Sequence, residues 1–64
     1  MSEQSDHEQL RERVVVRLGG FIQGIGMMVP QAREIVERAI ADAPHADPND
    51  IEAKARARML IALA

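Results

Sequence analysis

The side chains able to do chemistry are few. His7 sits between Asp6 and Glu8, and His45 lies two residues before Asp47. Imidazoles beside carboxylates could hold a metal, but a site needs three or four converging ligands. Neither cluster has that spacing, so no metal or other cofactor is expected. Glu34 and Glu37 stand three residues apart and would share a helix face. General acid–base work also needs a pocket that moves their pKa values. Their neighbours Arg33 and Arg38 read instead as an ordinary charged surface. Ser2 and Ser5 are the only hydroxyl nucleophiles, both near the N-terminus, and there is no cysteine. The expectation is a protein that is not an enzyme.

Four glycines fall within eight residues, at Gly19, Gly20, Gly24 and Gly26. They lack the G-K-[ST] ending of a phosphate loop and the spacing of a dinucleotide fingerprint. Gly20 and Gly24 form a G-x-x-x-G pair, which lets two helix backbones approach closely. A local break at Gly19-Gly20 is the other helical reading.

The elements that must carry these residues follow from apolar spacing. Val15, Leu18, Ile22, Ile25 and Val29 recur at intervals of 3, 4, 3 and 4, the beat of a helical seam. Val14, Phe21 and Met28 widen it. Ser5-Asp6-His7-Glu8 fits a capping box, so the first helix is expected over about 6–29, after a flexible tail at 1–4. Pro30 marks the next start, since proline disfavours helix at the preceding residue and suits a first turn. A second helix is expected over 30–43, with Ala32, Ile35, Val36, Ala39, Ile40 and Ala43 inward and a Glu34–Arg38 pair outward. Asp47-Pro48-Asn49-Asp50 starts a third helix over 48–63: Asp47 as N-cap, Pro48 at N1, with Ala46 and Ile51 as a hydrophobic staple. On it, Ala53, Ala57, Leu60, Ile61 and Ala64 form one stripe, with Met59 and Leu63 outside it. The fold class is thus all-α, one domain over 5–64. The alternative places a strand at 13–18 ahead of two helices, a ribbon-helix-helix-like dimer, because Arg13-Val14-Val15-Val16-Arg17-Leu18 partly alternates and is β-branched.

Size turns this pattern into a functional expectation. The chain has 64 residues, and apolar residues make up 47% of it. A domain this small buries only about 60% of the surface its unfolded chain exposes. Small scaffolds usually add disulfides, a metal or association. Without cysteine or a metal site, association is left. The seam is therefore expected to be shared with a second copy, a dimer above all, or with a partner protein. The candidate interface is Val15, Leu18, Phe21, Ile22, Ile25, Met28, Val29, Leu60 and Ile61, with Gly20 and Gly24 at a close helix contact. Met27 and Met59 could add adaptable contact surface. The function expected is a small regulator, adaptor or inhibitor working by protein–protein contact.

Charge weighs against the rival class. Eight basic residues face ten acidic ones, a net charge of −2, whereas a nucleic-acid binder normally shows a basic balance or stripe. A dimeric DNA-binding regulator would use Arg13 and Arg17 on the strand reading, or Lys54, Arg56 and Arg58 on the last helix. Asp50 and Glu52 at the start of that helix would repel phosphate. A membrane-surface role for the first helix is offset by Glu8 and Glu12 among its arginines. The run Val14–Val29 is too short and too interrupted to span a bilayer, and no basic-then-apolar leader is visible. The expected address is the cytoplasm.

Overall fold

The computed structural model describes residues 3–64, with side chains from Asp6 onward. Within it the chain forms four helices: α1 Glu3–Arg17, α2 Gly19–Gly24, α3 Val29–Asp42 and α4 Pro48–Leu63. The all-α class holds among the described residues. No strand occurs there, and residues 13–17 lie inside α1, so the ribbon alternative is corrected. The β-branched run costs a helix only tenths of a kcal/mol per residue, and the helical burial pattern outweighs it.

The expected first helix is two helices. Leu18, at φ −91° and ψ 5°, separates α1 from α2. The ladder nonetheless continues across it: Leu18 N–H donates to the Val14 carbonyl at 2.9 Å, and Ile22 N–H to the Leu18 carbonyl at 2.8 Å. The interruption comes just before Gly19-Gly20, where two poor helix formers follow one another. The N-terminal boundary also differs. α1 begins at Glu3, ahead of Ser5, so Ser5 is not at the cap position. Its side chain, and residues 1–2 of the expected tail, lie outside the described residues.

α2 ends in a Schellman motif. Gly26 N–H donates to the Gln23 carbonyl at 3.1 Å, and Met27 N–H to the Ile22 carbonyl at 3.1 Å. This closure needs a left-handed residue at Gly26, whose φ is +73°. Glycine adopts that conformation without a Cβ penalty. The chain then reverses, and Met27 folds back to bury its side chain beside Ile22 in the core. The seam was expected to run straight to Val29. The turn instead ends it, leaving Met28 and Val29 exposed.

α3 starts at Val29, one residue before the expected Pro30, with Met28 extended at the cap. Its inward face is the expected one: Ala32, Val36, Ala39 and Ile40 are buried, and Ile35 packs against them. The connection Ala43–Asp47 is closed by Ala46 N–H on the Ala43 carbonyl at 3.0 Å. α4 then starts at Pro48, as its sequence requires. Asp47 holds the cap conformation without a side-chain capping bond, while Ile51 lies in the core and Ala46, at the other staple position, packs against that core.

The inward face of α4 is not the one read from the sequence. Ile51, Ala55 and Met59 are buried with Glu52, whereas Ala53, Ala57, Leu60, Ile61 and Ala64 face out. Apolar residues surround the end of this helix, so composition does not choose a face. The choice follows from Ile51, which the Asp47-Pro48 entry places in the core; residues four and eight positions on lie above it.

α3 packs on both α1 and α4 and joins them into one core. The molecule exposes 4376 Å², close to the roughly 4,100 Å² expected of a folded monomer of this mass. Val15, Leu18 and Ile22 are enclosed by their own chain, with Ile22 only 3% exposed. No second chain is required to cover that part of the seam.

Candidate functional site

The ion pairs set the helix register. Arg33 donates to Glu12 at 2.9 Å, and Arg11 approaches Glu37 at 3.4 Å, both between α1 and α3. One step forward on α1 matches four back on α3, so the two run antiparallel. Val16 lies one turn beyond Glu12, and Val29 one turn before Arg33. Both therefore sit on the same edge of the α1–α3 seam, where Val16 is 75% and Val29 49% exposed.

Large exposed apolar side chains concentrate at two chain segments. Met28 and Val29 open α3, and Leu60, Ile61 and Leu63 close α4. Met28 is 69% and Ile61 74% exposed. Of the expected interface residues, Met28, Val29, Leu60 and Ile61 are thus available at the surface. Phe21 and Ile25 pack at the margin of the core, and Val15, Leu18 and Ile22 lie inside it. Gly20 and Gly24 are exposed, and a Cβ built at either would meet nothing within 4 Å. Among the described residues no helix approaches them closely.

Shallow grooves lie among the described residues. One, of about 310 Å³, is lined by Asp6, His7, Leu10, Ile40, Pro44 and His45. The two histidines are far apart in sequence, and the antiparallel α1–α3 pairing alone brings them to one groove. Sequence spacing carried no signal of that. Among the described residues no group of three histidine or carboxylate side chains is placed to hold a metal ion.

A second groove, of about 230 Å³, runs between α3 and α4 and is lined by Ile35, Arg38, Arg58, Ile61 and Ala62. Arg38 was expected to pair with Glu34 on its own helix. Among the described residues it makes no ion pair and instead lines this groove. Arg58 lies beside it, held by an ion pair to Asp42. A third groove, on α1, is lined by Glu8, Gln9, Glu12 and Arg13 and is wide open.

The residues considered for nucleic acid are dispersed. Arg13 is on α1, and Arg17 is bound to Glu52 at 2.5 Å. On α4, Lys54 and Arg58 lie one turn apart on one flank, while Arg56 between them points to the other side. Among the described residues no helix is long and apolar enough to cross a membrane. Comparison of the chain with protein-family models, with curated proteins and with solved structures found no match.

Proposed function

We propose that this chain is a small, non-catalytic protein–protein interaction module, a regulator, adaptor or inhibitor that works by shape, whether docked on a partner or paired with a second copy. The observation that carries the reading is the placement of apolar surface. The core is closed within the chain, yet five of the six large exposed apolar side chains fall at the start of α3 and the end of α4. Scattered single apolar residues need no explanation, but a concentrated set marks an interaction surface. Met28 adds a side chain that adapts to different partners. The carboxylate pair weighed for acid–base work, Glu34 and Glu37, is exposed, and Glu37 neighbours Arg11.

The test is site-specific photocrosslinking in the cells that make the protein. A photoreactive residue replaces Ile61 or Met28, with Gln9 on α1 as the control position. Discrete protein adducts at 61 and 28, and none at 9, are expected. Adducts to nucleic acid, or equal labelling at all three positions, would overturn the reading. Sedimentation of the purified chain then separates self-association from capture of a different protein.

A further inference from the structure

Resting on that interaction reading, we infer that the α3–α4 groove takes an acidic amphipathic segment of a partner protein, with a large apolar side chain over Ile35 and Ile61 and a carboxylate against Arg38. Two features of the groove select this chemistry. Its lining is apolar at Ile35, Ile61 and Ala62, and it carries the two guanidiniums of Arg38 and Arg58 with no carboxylate among the lining residues. Arg58 is tied to Asp42. Arg38, by contrast, leaves Glu34, its natural partner one turn back, and stands beside a second cation. Because Asp42 offsets the charge of Arg58, Arg38 is the cation left at the groove to take an anion brought from outside. A guanidinium fork fits a carboxylate in two-point geometry.

The same charges argue against a second copy as the occupant. A symmetric dimer through this groove would bring the Arg38 of both chains to one surface, where Asp42 is already taken by Arg58 and like charges disfavour the contact. They also make α4 one-signed around the groove. From Ala53 to Ala64 the sequence carries Lys54, Arg56 and Arg58 and no acid. Lys54 lies one turn before Arg58, on the same flank as Ile61.

The probes are two synthetic helical peptides of about four turns. They share leucines at i, i+3, i+4 and i+7; one has glutamates at its polar positions and the other lysines. Binding to the isotopically labelled full chain is followed by amide chemical shifts. The glutamate peptide is expected to bind, to move the signals of Ile35, Ile61 and Ala62, and to weaken several-fold between about 0.05 and 0.3 M salt. Arg38→Glu should lower its affinity about tenfold or more with helicity unchanged, since Arg38 is exposed. Arg13→Glu, on another face, should leave it intact. Equal binding of both peptides, no binding of either, or shifts confined to α1 would overturn the inference. So would a chain that dimerises through these residues, or one whose groove signals respond to random duplex DNA instead. A protein adduct at position 61 that persists unchanged in Arg38→Glu would overturn the acidic-segment inference and leave the interaction module standing.

Discussion

The Nε–H of Arg17 donates to Oε2 of Glu52 at 2.5 Å, fastening the last residue of α1 to the first turns of α4. Glu52 is the single charged residue buried among the described ones, at 7% exposure. Direct contact between α1 and α4 is otherwise limited, so this bond holds two elements that mainly meet through α3. Replacing Arg17 with Ala leaves a nearly buried carboxylate without its donor. The Arg17 side chain is more than half exposed, so solvent screens part of the loss, and the expected cost is about 1–2 kcal/mol. Thermal melting should fall by roughly 5–15 °C. Glu52→Gln should cost less, because its amide oxygen still accepts. A double-mutant cycle should return a coupling energy of the same sign.

Two glycines should respond in opposite directions. Gly26→Ala forces a Cβ into a left-handed backbone, at a cost of about 1–2 kcal/mol, and loosens the turn that returns Met27 to the core. Gly20→Ala adds a methyl group in open space within a helix. It should stabilise the chain by up to about 1 kcal/mol. Urea unfolding of both variants checks the pair. If Gly20 and Gly24 seat a second chain, Gly20→Ala will instead weaken association in the ultracentrifuge.

The two faces of α4 should separate stability from binding. Ile51 is fully enclosed, so Ile51→Ala should cost about 2–5 kcal/mol and leave a large unfolded fraction at room temperature. Ile61→Ala should stay within about 0.5 kcal/mol of the parent while reducing crosslinking from position 28. Equal losses of stability in the two variants would show that the core has been assigned to the wrong face.

Because Val15, Leu18 and Ile22 are covered by their own chain, the melting temperature should not depend on protein concentration if the surface docks on a different protein and not on a second copy. Circular dichroism over a hundredfold dilution range, about 1–100 μM, should give superimposable curves. A midpoint that climbs with concentration would mean that folding is linked to association.

The sequence by itself determined the all-helical class and, to within a residue, the bounds of the last two helices. Pro30, Pro44 and the Asp47-Pro48 entry act locally, through fixed φ angles and missing donors. The Ala32–Ile40 face of α3 was legible because its polar side is unbroken, so only one orientation buries the apolar residues. Tertiary structure decided what local pattern left degenerate. The seam from Val15 to Val29 has the same spacing in a straight helix as in one that stops at Gly24, and only the left-handed Gly26 reveals the stop. α4 is apolar on several sides toward its end, so the packing of Ile51 and Met59 against α1 and α3 chose which residues went inside. That choice turned Leu60 and Ile61 outward. It also brought Arg38 and Arg58 together across a groove, since contacts between residues twenty apart depend on how helices cross and not on the order of residues along either one.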